Sequence, residues 1–208
     1  MAYSQNNEET IIVNYFTEKH GPDFKGTLID FGANDGRTFS NSLRLIQRGW
    51  KATLIEASKE VAGRCIAEHK GNEAVQVINI GVAEECGTLV FHESGEHVGR
   101  GDKSLVSTFD SRELKRWEHN TEFTQHEIEV VDWYTLQTMS TIKEFDFITM
   151  DIEGMETVVL PQIDLTNVKC LCIEYNSKPE LLKYYKDIAK NYGLIELHHN
   201  AENVIFVK

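Results

Sequence analysis

The sequence predicts an α/β fold, an open and mostly parallel sheet with helices on both faces, closed by an antiparallel C-terminal hairpin. Three observations predict it. Short apolar runs alternate with longer amphipathic ones, the pattern of repeated strand–helix units. Several short runs are apolar at almost every position and so keep no wet face, as in parallel strands covered on both sides. The last two runs, "GLIELHH" and "NVIFVK", are joined only by "HNAEN". That leaves no room for a crossover helix, so they must pair antiparallel.

Taken in order, a helix over about 8–20 precedes the first strand, "TLIDF" (27–31). A helix over 40–49 follows, with Asn41 or Ser40 as its N-cap, then the strand "ATLIEA" (52–57). Ser58 opens a helix over 58–70, and "VQVINIGVA" (75–83) reads as a third strand. Helices over 133–142, 154–162 and 178–192 alternate with the strands "FDFITMDI" (145–152) and "KCLCIEY" (169–175). Ser177 caps the last of these helices, and Pro179 sits in its first turn, where no N–H is needed. Residues 84–130 break the alternation. "GTLVFHES" and "HEIEVV" read as strands, "RELKRWEHNTEF" as a short helix and "GEHVGRGDKSLVSTFDS" as a loop. The 1–208 chain is expected to form a single domain in which 84–130 is an insert on the substrate side, since long loops at the ligand end of a sheet select substrates.

The 33 acids against 21 bases give a net charge of −12. Such a surface repels phosphate backbones, so no nucleic acid and no anionic membrane is expected as a partner. No apolar run approaches the ~20 residues that cross a bilayer. The opening "MAYSQNNEET" has neither a basic n-region nor an apolar h-region. Cys65, Cys86, Cys170 and Cys172 offer no second half to the C-x-C pair, so they read as free thiols in a reducing compartment. A cytoplasmic protein is the expectation.

In an open sheet of this kind ligands bind beyond the C-terminal strand tips. The first strand runs into "DFGANDG", where Gly32, Asn34 and Gly36 let backbone approach a ligand. Glu56 ends the second strand about 20 residues on, placed for a ribose diol. Gly81 and Val82 end the third, where a flat ring could lie on backbone. The G-x-G-x-x-G of dinucleotide folds and the G-x-x-x-x-G-K-[ST] of P-loops are both absent. Asp30, just before the glycines, is awkward for a pyrophosphate but suits an ammonium. A nucleoside carrying an amino acid, S-adenosylmethionine, satisfies both ends.

"LIDFGANDG", "LIEA", "INIGVA", "DFITMDIEGME" and "CIEYN" together resemble the FkbM family of S-adenosylmethionine-dependent methyltransferases. The D-x-E-G-x-E element (Asp151, Glu153, Gly154, Glu156) is the most specific piece. The resemblance implies a Rossmann-like, seven-stranded class I fold and methyl transfer to an oxygen, often on a small molecule or sugar. By position it places Asp30, Gly32, Asn34 and Gly36 along the methionine part. Glu56 would then hold the ribose, and Gly81 and Val82 the adenine. The insert is not well matched, so the acceptor is not carried over.

At the chemical end, Asp151 and Glu153 close the fourth strand while Glu174 and Asn176 close the fifth. Three readings stand. The carboxylates are structural; or one is a general base, Asp151 foremost with Glu153 beside it; or Asp151, Glu174 and Asn176 hold a divalent cation such as Mg²⁺. His198 and His199 at the terminal turn, with His92 and His97 in the insert, are further candidates for a base, and His198 is the one taken forward. Trp117, Phe109 and Phe123 would cover a substrate or pin the insert. Besides the methyltransferase, a non-catalytic cofactor-binding module and a nicotinamide-dependent oxidoreductase remain as alternatives.

Overall fold

The apolar runs in the middle of the sheet tolerate no wet face because those strands feed two cores. The computed structural model describes residues 3–96 and 103–208. Its elements begin with α1 (Glu8–His20), β1 (Thr27–Phe31), α2 (Leu43–Gln47), β2 (Lys51–Glu56), α3 (Lys59–Glu68), β3 (Val75–Asn79), β4 (Gly81–Val82) and β5 (Gly87–Ser94). After these come α4 (Ser111–Trp117), β6 (Phe123–Val131), α5 (Trp133–Met139), β7 (Phe147–Met150), α6 (Glu156–Val159), β8 (Cys170–Glu174), α7 (Pro179–Asn191), β9 (Ile195–His199) and β10 (Asn203–Val207). The main sheet has seven strands in the order β3-β2-β1-β7-β8-β10-β9. β10 runs antiparallel to both of its neighbours, and the remaining pairings are parallel. The order reverses between β1 and β7, and that reversal opens a crevice at their C-terminal tips.

Alternate residues of each strand point to opposite faces. Ile29, Phe31, Ile148, Met150, Leu171 and Ile173 pack with Trp133 of α5, Val159 of α6 and Tyr185 of α7. Leu28, Leu54, Phe147, Cys170 and Cys172 pack with Ile12 and Phe16 of α1 and Leu45 of α2. Burying a side chain of this size contributes about 1.5–3 kcal/mol. Among the described residues no helix is long and apolar enough to cross a membrane. Cys65, Cys170 and Cys172 are buried, while Cys86 is exposed.

Three local expectations change. The run 75–83 breaks after Asn79, and Gly81–Val82 leaves the main sheet to pair in parallel with Val130–Val131. A Cβ on Gly81 would meet the Phe109 ring at 2.6 Å and Val130 at 2.8 Å, so only glycine lets the strand turn away there. The helix expected at 40–49 starts at Leu43. Asp35 Oδ1 accepts from the Arg37 and Thr38 N–H groups at 2.8 and 2.6 Å and holds the preceding residues in a turn. Ser42 occupies the N-cap position, yet it is the Ser40 hydroxyl that accepts from Leu43 N at 3.0 Å. Lys178 is the N-cap of α7, because the Ser177 hydroxyl donates to the Ala201 carbonyl. Ser58 caps α3 as the sequence suggests.

The insert builds its own three-stranded sheet, β4-β6-β5, with β5 and β6 antiparallel over Gly87–Ser94. α4 is capped by Asp110, whose carboxylate accepts from Arg112 N. Phe109 packs on Phe91, their ring centroids 4.9 Å apart.

Candidate active site

The first tip is set by a close approach. Gly32 has φ +81°, and a Cβ on it would lie 1.8 Å from the Asp151 carbonyl oxygen. The chain leaving β1 is therefore pressed against the tip of β7. Asp30 lies below, buried, and accepts from the Ser42 hydroxyl at 2.5 Å. Burial pushes its carboxyl up to about 6. Glu56, at the tip of β2, accepts from Asn34 N at 2.9 Å and from Ser58 N at 2.8 Å, one on each oxygen. Those bonds fix the plane of the carboxylate and leave a lone pair on each oxygen for a ligand. Burial outweighs them and pushes Glu56 up to about 7.

Both acids therefore keep protons in the folded protein that the unfolded chain releases at lower pH. Glu56 costs stability as pH rises from about 4.5 to 7, and the cost is constant above that. Glu56→Gln is expected to flatten this fall. Chemical denaturation of both proteins at pH 5, 6 and 7.5 checks it, and parallel pH dependences would refute the buried-acid assignment.

Asp30, Gly32, Asn34, Glu56, Gly81 and Val82 all line one cleft of about 1320 Å³, open solvent at its mouth included. Gly36 is placed elsewhere: its Cα faces Cys65 of α3 and His69, the C-cap of that helix, so its φ of +77° serves packing. At the chemical end Asp151, Glu153, Glu174 and Asn176 also reach the cleft. Glu153 sits at φ +48°, and its carbonyl accepts from the Thr108 hydroxyl at 2.6 Å. Its Oε2 is buried with no hydrogen-bond partner among the described residues. Glu156 braces the same turn, accepting from Ile152 N at 2.7 Å and Gly154 N at 3.0 Å.

Burial raises Asp151, which shares a hydrogen bond with Glu174, and raises Glu153 and Glu174 more strongly. Carboxylate oxygens of Asp151, Glu156 and Glu174 lie within 4.8 Å of one another, an oxygen set that suits a hard cation. Asn176 Oδ1 accepts from Arg116 Nη2 at 2.9 Å. His198 stands on β9, beyond β10, and is not among the described residues of the cleft wall. His199 contacts Glu196 at 2.8 Å, His92 is buried in β5, and His97 lies outside the described residues.

The insert forms the far wall through Phe91, Leu105, Phe109 and Trp117. Gln5, Phe39, Arg116 and Glu202 also reach the cleft and escaped the strand-tip reasoning, since none of them ends a parallel strand. Phe39 carried no signal in the sequence: it is a bulky residue at φ +55°. Among the described wall residues, Asp30, Glu56, Asp151, Glu153, Glu174 and Glu202 face a single cation, Arg116, stacked 4.7 Å from the Trp117 ring. A pyrophosphate would meet this acid wall unfavourably. A ligand carrying a sulfonium and an ammonium is drawn to it.

A seven-stranded sheet with an antiparallel C-terminal pair and a cleft over its first three tips is the architecture of the Rossmann-like, S-adenosylmethionine-dependent methyltransferases. The chain belongs to the FkbM methyltransferase family: the Methyltransferase FkbM domain model matches residues 30–201. No curated protein sequence matches the chain. Among solved structures, a ribosomal protein L11 methylase from Lactobacillus delbrueckii subsp. bulgaricus is 10% identical with a TM-score of 0.52. That match covers 98% of this chain and 79% of the other. The METTL16 methyltransferase domain is 9% identical with a TM-score of 0.53, covering 96% of this chain and 66% of the other. At these identities the likeness is one of fold.

Proposed function

We propose that the protein transfers the methyl group of S-adenosylmethionine to a hydroxyl oxygen of a small molecule or sugar. The observation that carries this is the cleft's division of labour: a preset carboxylate at the β2 tip, an acid floor at β1, and carboxylates at the β7 and β8 tips. Asp30, Gly32 and Asn34 would hold the amino-acid tail, Glu56 the ribose, and Gly81 and Val82 the adenine. When bound, this donor supplies a methyl group already activated by the sulfonium charge. The chain then has to align the acceptor and remove its proton.

Glu153 is the base this geometry favours, because its buried Oε2 has no partner among the described residues, whereas Asp151 is engaged with Glu174. The one domain would work in two parts, with the 84–130 insert covering the acceptor. The acid wall favours an acceptor without phosphates over a nucleic acid.

Calorimetry with S-adenosylmethionine, S-adenosylhomocysteine and NAD tests the reading, with binding expected for the first two alone. Heat from NAD, or none from the methyl donor, would overturn it. Glu56→Ala is expected to weaken donor binding by about 1–3 kcal/mol, the cost of losing a buried acceptor; unchanged affinity removes its ribose role. A second reading, Mg²⁺ held by Asp151, Glu156 and Glu174, is favoured by their 4.8 Å grouping. Turnover that EDTA abolishes and Mg²⁺ restores would select it over a metal-free base.

A further inference from the structure

Asn41 is buried, 8% exposed, in the loop ahead of α2, and it lines the cleft. Its Nδ2 donates to the Thr149 hydroxyl at 3.3 Å. Its Oδ1 has no hydrogen-bond partner among the described residues. Beneath it Thr149 pairs with Cys172 across the β7–β8 register. With the Asn41 nitrogen donating to the Thr149 hydroxyl, the amide oxygen is the atom left without a donor beside the cleft. A buried carbonyl oxygen without a donor costs about 1–3 kcal/mol, so the site is incomplete until a donor arrives.

The place of that donor follows from the register. Thr149 pairs with Asp30 across the β1–β7 ladder. Asn41 sits over Thr149 while Ser42, the next residue, sits over Asp30. The orphan oxygen and the Asp30 carboxyl thus belong to neighbouring positions on one floor of the cleft. A hydroxyl has one donor and would use one of them, and an amide NH₂ brings no charge to the carboxylate. An ammonium has three N–H donors and a charge, and can serve both.

We propose that Asn41 Oδ1 and Asp30 together receive the ammonium of the donor's amino-acid tail, making Asn41 a cofactor-binding residue. This rests on the methyl-donor reading above and extends it to a residue that ends no strand.

The test uses two thioethers that differ only in the tail. S-adenosylhomocysteine has the amino-acid tail, and 5′-methylthioadenosine lacks it. Asn41→Leu keeps the side-chain size and removes the acceptor. It is expected to weaken S-adenosylhomocysteine by about 10- to 100-fold, as for a hydrogen bond to a charged group, and to leave 5′-methylthioadenosine unchanged. Asn41→Asp retains an oxygen at the site and is expected to hold the wild-type preference for the tailed ligand.

Equal losses for both ligands in Asn41→Leu, or no loss for either, would overturn the assignment. So would an Asn41→Asp protein that binds the tailed ligand worse than Asn41→Leu, because the nitrogen would then be facing the tail's carboxylate. If Asn41→Leu does not fold, the aspartate variant decides alone: keeping the wild-type preference for the tailed ligand supports the assignment, and losing it overturns it. Wild-type protein that binds neither thioether fails the methyl-donor reading itself, a separate result from either loss.

Discussion

Glu153→Gln is expected to lower methyl transfer by about 10²- to 10⁴-fold, the usual contribution of a positioned general base, while donor affinity stays near wild type. The substitution keeps the shape of a side chain whose backbone is held at φ +48° by the Thr108 hydroxyl. It removes only the capacity to take a proton. Label transfer from methyl-tritiated S-adenosylmethionine to a panel of sugars and hydroxylated small molecules reads turnover, and calorimetry reads binding. Turnover within a few-fold of wild type would move the role to Asp151 or to a metal-bound arrangement. A loss confined to donor affinity would make Glu153 a cofactor contact.

The second large effect concerns the fold and the site together. Gly32→Ala must place a Cβ 1.8 Å from the Asp151 carbonyl oxygen at a φ of +81°. Left-handed backbone on a residue with a Cβ costs about 1–2 kcal/mol. The clash is with main chain, which has no rotamer to yield, so β1 or β7 has to shift and overpacking adds about 1–3 kcal/mol more. For a chain of this length the sum corresponds to a fall of roughly 10 °C in Tm. Because both strand tips line the cleft, donor binding should fall with stability. Gly63→Ala in α3 is the control: a Cβ there meets nothing within 4 Å, and helix propensity favours alanine by about 1 kcal/mol. Matching melting temperatures for the two variants would remove the close approach of β1 to β7 from the account.

The two predictions draw on different kinds of information, and only one kind was legible in the sequence. β1, β2, β7 and β8 could be read because they are buried on both faces, and a doubly covered strand writes an unbroken apolar run. Their tips could then be named, since topology fixes which end of a parallel strand faces the ligand. What escaped depends on contacts distant in sequence. The run 75–83 is mostly apolar, yet it breaks before Gly81 meets Phe109, 28 residues later, and no local pattern encodes that. Asn176 looked like a ligand by strand position, and only the packing of α4 shows Arg116 donating to it. His198 looked central because it sits in the terminal turn, but β10 lies between its strand and the cleft. Asn41 read as a helix cap because Asn favours that place, whereas its amide turns to Thr149 and the cleft.

The distribution of thiols has a practical consequence. Cys65, Cys170 and Cys172 are each 0% exposed, and burial raises all three above an ordinary thiol, so none offers a reactive thiolate at neutral pH. Cys86 is exposed at the foot of the β5–β6 hairpin, 3.2 Å from the Thr135 hydroxyl. A maleimide dye will therefore attach at one place in the native chain with no cysteine removed. The fluorophore sits at the foot of the β5–β6 arm, where Gly87 and Gly81 both pair with Val130, so its anisotropy can follow that arm.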